Sequence, residues 1–173
     1  MNDRRYYIIA ILDNEGADAI FNIQKEIGIE RDTFNDVPHV TLTAYDKEIN
    51  SANLLEWIKK IAQTQKSVEV GFHRLAVTKQ QIAAIPNFTK DLYEMRCNIR
   101  QKYDEYSMDY FKKFWVPHVT IAYDGEKIIN EKMSVVLDLF QSIDQTFFKL
   151  NSLWVSCLEN GNLTVLGKFP LQN

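Results

Sequence analysis

The sequence predicts an α+β fold of two similar lobes packed side by side. Three observations predict it. Strand-like and helix-like apolar patterns alternate along the whole chain. Their order is strand, helix, strand, helix, strand, and the same order then returns with one extra strand. A short motif also recurs at the same step of both copies. We divide the single bilobal domain, residues 1–173, into approximate halves 1–79 and 80–173.

Residues 4–12 read as the first strand. Ala17, Ile20, Phe21, Gln24 and Ile27 then fall at helical spacing, with Asp13 or Asn14 as the N-cap. Residues 38–45 read as a second strand. Asn50 or Ser51 caps the next helix, whose apolar face is Leu54, Leu55, Ile58, Ile61 and Ala62. Residues 67–78 look like a third strand, with Val68, Val70 and Phe72 alternating against Glu69, Gly71 and His73. In the second half, residues 80–86 are a short apolar strand. A helix follows, with Phe88, Leu92, Met95, Ile99 and Tyr103 on one face. Residues 117–123 form the next strand, and Asn130 caps a helix carrying Met133, Val136, Leu137 and Phe140. Residues 147–158 and 162–170 flank Asn160-Gly161, a dipeptide suited to a type I′ hairpin turn.

Composition narrows the function classes. Of 173 residues, 46% are hydrophobic and 25% charged, the balance of a globular protein. No apolar run approaches the roughly 20 residues that span a bilayer. Arg4 and Arg5 precede an apolar stretch that ends at Leu12 and runs into Asp13-Asn14-Glu15. With no small-residue cleavage site, we read Met1 to Leu12 as the approach to the first strand, and the protein as cytoplasmic. The formal net charge of -3 argues against extended DNA binding, which needs many cationic phosphate contacts. The two cysteines, Cys97 and Cys157, have no metal or redox spacing and read as buried free thiols.

The recurring motif carries the chemistry. Residues 38–42 are Pro-His-Val-Thr-Leu and residues 117–121 are Pro-His-Val-Thr-Ile; Tyr-Asp follows each, at 45–46 and 123–124. The chain holds three histidines and four prolines, and two of each lie in these segments. Side chains alternate along a strand, so His39 and Thr41 face one side while Val40 and Leu42 face the other. His118 and Thr120 stand in the same relation to Val119 and Ile121. Two lobes related by a pseudo-twofold would bring two imidazoles and two hydroxyls together in a cleft. Two imidazoles flanking a phosphorus can take a proton from the attacking oxygen and give one to the leaving oxygen. Threonine hydroxyls can hold the non-bridging oxygens as charge grows on them.

Paired His-x-Thr-apolar motifs, one in each half of a chain of this length, resemble the two-histidine (2H) phosphoesterases. These include the proteins called 2′-5′ RNA ligases and RNA 2′,3′-cyclic phosphodiesterases. The resemblance implies two pseudo-symmetric lobes, each an antiparallel sheet with helices on its outer face, and an active-site cleft between them. It implies His39 and His118 as catalytic residues, Thr41 and Thr120 as phosphate-binding residues, and neither metal nor cofactor. The expected substrate is a nucleotide or RNA-end phosphate, above all a 2′,3′-cyclic phosphate opened to a 2′-phosphate. Joining or cleavage of 2′-5′ linkages is the alternative enzyme, and a nucleotide- or RNA-binding module without turnover is the alternative outside enzymes. The near symmetry of the motifs leaves open which histidine is acid and which is base.

Other residues carry weaker signals. In Tyr110-Phe111-Lys112-Lys113-Phe114-Trp115, aromatic rings beside cations could hold an unpaired base and its phosphate, which makes Trp115 and Lys113 candidate substrate contacts. Tyr45 is a third candidate, of uncertain direction. His73 has no counterpart in the second half and reads as structural or superficial. Asp104 to Asp109 reads as a solvated acidic loop.

Overall fold

The structure is a computed structural model, and it describes residues 4–29, 37–46 and 49–173. Met1 to Asp3, at the start of the opening segment, lie outside the described residues. The elements run β1 (Arg5–Leu12), α1 (Asn14–Glu26), β2 (His39–Tyr45), α2 (Ser51–Ala62), β3 (Val68–Val77), β4 (Gln81–Pro86), α3 (Lys90–Arg100), α4 (Asp109–Lys113), β5 (Val119–Tyr123), α5 (Gly125–Glu131), α6 (Met133–Ile143), β6 (Phe147–Glu159) and β7 (Asn162–Pro170).

Local chemistry sets most boundaries. The Asp13 carboxylate accepts the Gly16 N–H and starts α1; Asn50 accepts from Asn53 and starts α2; Thr89 accepts from Leu92 and starts α3. Asn160 and Gly161 both have positive φ, as a type I′ turn requires, and join β6 to β7.

All the strand pairs are antiparallel, and the seven strands follow the order β2-β1-β6-β3-β4-β5, with β7 also paired to β6. The pairing does not divide at residue 79. Val68–Gly71 of β3 pair with β6, and the rest of β3 pairs with β4. β6 and β7, from the end of the chain, complete the sheet begun by β1 and β2. The helices cross over as well: α1 packs on β5 and α6, whereas α3 packs on β2 and α2. β2 and β5, at opposite ends of the strand order, approach each other. One core runs through the whole, from Ile8, Val40, Leu42 and Leu54 to Ile82, Leu92, Met95 and Val119.

Several expectations are corrected. Asp104, Glu105 and Asp109 face water, but their segment is a 3-10 turn (Asp104–Tyr106) leading into α4 rather than a loose loop. It is fastened to β2: Ser107 is buried and bridges to Tyr45, and the Met108 N–H donates to the Ala44 carbonyl. Asn130 lies inside α5 and caps nothing; α6 starts after Lys132 without a side-chain cap. Phe88 and Leu137 are exposed rather than packed inward. Cys157 is buried, but Cys97 is exposed on α3. Among the described residues no helix is long and apolar enough to cross a membrane.

Candidate active site

The two motifs form the same local structure. His39 begins β2 and its Nδ1 lies 2.7 Å from the Val37 carbonyl; His118 immediately precedes β5 and its Nδ1 lies 3.0 Å from the Val116 carbonyl. A carbonyl oxygen can only accept, so Nδ1 donates in both rings. Each neutral ring therefore keeps an unprotonated Nε2 that can take a proton.

Each motif strand then bulges at the residue after its threonine. Ile9 pairs with Thr41 and Ile8 with Thr43, which leaves Leu42 as the extra residue of β2. Ala83 pairs with Thr120 and Ile82 with Ala122, which leaves Ile121 as the extra residue of β5. An extra residue reverses the in–out alternation beyond it. Thr43 and Tyr45 thus turn into the core with Ile8 and Tyr6, and both are fully buried. In β5 Tyr123 falls on the other side, opposite Gln81, and is 66% exposed.

The bulges also leave carbonyls to be satisfied, and the crossed helices supply the donors. Arg96 of α3 donates from Nε to the Leu42 carbonyl at 3.1 Å, and Gln24 of α1 donates to the Ile121 carbonyl at 3.1 Å. The helix of each half therefore serves the motif strand of the other half. Arg96 also bonds the Phe111 carbonyl and lies 4.4 Å from the centre of the Trp115 ring. Burial, and after it the like charge of Arg100, lowers its pKa to about 10.

A cavity of about 330 Å³ opens on the bare face of the sheet beside the first motif. It is lined by Tyr7 and Ile9 of β1, His39 and Thr41 of β2, Tyr123 of β5, Ser156 and Leu158 of β6, and Gly161 and Leu163 at the final hairpin. His118 and Thr120 stand half-buried on the neighbouring segment and do not line this cavity. The histidines nevertheless feel each other. Burial pushes His39 below the ordinary histidine pKa, its bond to Val37 opposes that shift, and the charge of His118 adds to it.

The three weaker candidates fall elsewhere. Tyr45 is 0% exposed, out of reach of a solute, because the Leu42 bulge turns it inward. Trp115 is half-buried against the core and spends its indole N–H on the Thr41 carbonyl, at 2.8 Å. Lys113 is exposed on α4 and pairs with Asp109 at 3.6 Å. His73 pairs with Asp144 at the surface. Tyr7, Tyr123 and Ser156 were missed as cavity residues. Regular alternation from His39 could not expose them, because the face they share depends on strand pairing and on both bulges.

No family model and no curated protein matches the chain. Solved structures do. E. coli LigT complexed with NADP+ superposes with a TM-score of 0.65 at 11% identity, covering 100% of both chains. The chain has the LigT fold. TT0787 of Thermus thermophilus matches with a TM-score of 0.62 at 15% identity over 98% of each chain. A structure described as a phosphoesterase matches with a TM-score of 0.66 at 12% identity over 99% of each. The likeness to these three structures covers the complete two-lobed α+β architecture. Among the described residues no group of three or more His, Cys, Asp or Glu side chains converges as metal ligands do.

Proposed function

We propose that this chain is a two-histidine phosphoesterase, acting as one bilobal unit on nucleotide or RNA-end phosphates. The observation that carries the reading is the duplicated site: two histidines with the same Nδ1-to-carbonyl bond, each followed by a threonine and a bulge, on strands that approach each other. LigT structures with phosphate, 3′-AMP and ATP, and one of Kluyveromyces marxianus Usb1 with uridine monophosphate, support a phosphate substrate carrying a nucleoside.

The reaction we favour opens a 2′,3′-cyclic phosphate to a 2′-phosphate. His39 starts neutral, because burial disfavours its cation, and accepts a proton from water as the new P–O bond forms. His118 takes the part of the acid and gives a proton to the ribose oxygen as the old P–O bond breaks. The Thr41 and Thr120 hydroxyls donate to the non-bridging oxygens, where negative charge accumulates. The exposed free thiol of Cys97 fits a cytoplasmic setting.

The test is turnover of the four 2′,3′-cyclic mononucleotides, with the product's phosphate position read by 31P NMR, with and without chelator. A 2′-phosphate formed equally well under chelation is expected. No turnover, or loss on chelation with rescue by a divalent ion, rejects the mechanism. Joining and cleavage of 2′-5′ linkages use the same acid–base pair, and short RNAs with 2′-5′ bonds in the same screen separate that reading.

A further inference from the structure

Strand register places one row of side chains across the bare face of the sheet. Ile9 pairs with Thr41 on one side and with Trp154 on the other, and Trp154 pairs with Lys168. The row therefore runs from Thr41 on β2 through Ile9 on β1 and Trp154 on β6 to Lys168 on β7. Leu153, Val155 and Phe169, which flank the last two in sequence, turn to the core, so Trp154 and Lys168 stand on the face where the cavity opens. Trp57 and Trp115 donate their indole N–H groups to backbone carbonyls, whereas Trp154 makes no such bond among the described residues. It carries instead the Lys168 ammonium, 3.8 Å from its ring centre. The ring face orients that cation without cancelling its charge. Lys168 is exposed and has no carboxylate partner among the described residues. The chain has a formal net charge of -3, yet β1, β2, β7 and the Ser152–Leu158 part of β6 contain no Asp or Glu. An oriented, unpaired cation thus shares an acid-free sheet with Thr41.

We propose that Lys168, held over Trp154, binds a second phosphate of the substrate, the one on the 5′ oxygen of the nucleoside whose other phosphate lies at His39 and Thr41; this rests on the phosphoesterase reading above. Neighbouring strands lie about 4.8 Å apart, so β6, over which the ammonium sits, is roughly 10 Å from β2. That interval is too long for one phosphate to touch both Thr41 and Lys168, and it leaves room for a ribose between two phosphates. Ile9 lies between the two points and offers the sugar an apolar surface without a competing charge. Lysine suits the task as a compact charge with three donors. Its contact with the indole already restrains the side chain, so less freedom is lost on binding. The 5′ phosphate is a monoester in a free nucleotide and a diester in an RNA strand, and both present the anionic oxygens that an ammonium recognises.

Calorimetric titration of the full chain tests this without turnover. The probes are inorganic phosphate, adenosine 3′-monophosphate, adenosine 3′,5′-bisphosphate, and a trinucleotide ending in a 3′-phosphate. The bisphosphate or the trinucleotide should bind about 3- to 10-fold tighter than the monophosphate at low salt, the range of one exposed charge-assisted contact. The margin should shrink as salt is raised. Lys168→Met should remove it and leave the affinities for inorganic phosphate and the monophosphate unchanged. Lys168→Arg should keep it, because a guanidinium also rests on an indole face. No margin in the wild type, or a margin that survives in Lys168→Met, overturns the second-phosphate site while leaving the phosphoesterase reading in place. Failure of the wild type to bind phosphate and every nucleotide overturns both. A Lys168-dependent margin for the trinucleotide makes the second phosphate that of an RNA strand, and a margin confined to the bisphosphate makes it that of a free nucleotide.

Discussion

The indole N–H of Trp115 donates to the Thr41 carbonyl at 2.8 Å, so the segment leading into His118 is tied to the strand that carries His39. Arg96 packs against the same indole and grips the next carbonyl, that of Leu42. Both carbonyls flank the point where β2 bulges. Relative placement of the two motifs therefore depends on side chains outside either motif.

Arg96→Lys should destabilise the protein by about 1–3 kcal/mol, because a lysine cannot reproduce the planar fork that meets two carbonyls while stacking on Trp115. Turnover should fall as well, with kcat affected more than KM, since Thr41 and His39 lose their fixed geometry. Gln24→Met keeps the volume but leaves the Ile121 carbonyl without its side-chain donor, and a smaller loss of about 1–2 kcal/mol is expected. Urea denaturation beside steady-state kinetics measures both; full stability and rate in both variants would show that the bulges need no help.

His39 links stability to pH. Its folded pKa lies below the ordinary value of 6.5, so the unfolded chain binds protons more readily than the folded one. Its contribution is complete above about pH 6.5 and falls away as pH drops towards the lower folded value. Replacing His39 with Gln should flatten that part of the stability profile while leaving the neutral plateau similar. In catalysis the acidic limb of the rate profile should lie below the ordinary histidine range, as a property of the coupled pair. An acidic limb above pH 7 would refute a neutral, half-buried His39 as the proton acceptor.

His39→Ala and His118→Ala should each lose most turnover, and the double variant should be little worse than the worse single one, because groups acting as a unit are not additive. Thr41→Val and Thr120→Val should each cost up to ~10²-fold, the lower end for losing one transition-state donor. His73→Ala is the contrast: its pair with Asp144 is superficial, worth roughly 0–1 kcal/mol, and turnover should not change. Less than a tenfold loss in either motif variant would sink the two-histidine mechanism.

Tyr45→Phe and Tyr123→Ala separate the two tyrosines that follow the motifs. The Tyr45 hydroxyl is buried with no hydrogen-bond partner among the described residues, so removing it should leave stability unchanged or raise it by up to about 1 kcal/mol, with normal kinetics. Tyr123 borders the cavity, so its truncation should raise KM by a few-fold with kcat nearly kept. Thermal melts and kinetics check both, and impaired turnover in Tyr45→Phe would return that residue to the site.

The order of strands and helices, most of the N-caps, the final hairpin and the pair of His-x-Thr motifs follow from the sequence by itself. Each rests on local physics: side-chain periodicity, Asp13 and Asn50 bonding a nearby N–H, and Asn160-Gly161 accepting positive φ. What lies beyond Leu42 and Ile121 is different. A bulge is a property of two paired strands, so alternation counted from His39 puts Tyr45 in the cleft, and only the register against β1 turns it into the core. The crossing of α1 and α3, the grip of Gln24 and Arg96 on the opposite motif strands, and the burial that separates His39 from ordinary histidines all arise between segments remote in sequence. Ser156 is the same case: a serine in an apolar strand looks incidental until pairing with β1 and β7 buries it in the wall of the cavity beside His39. Hydrogen bonding over one turn is decided by neighbouring residues, whereas burial and strand register depend on elements that meet only when the whole sheet has formed.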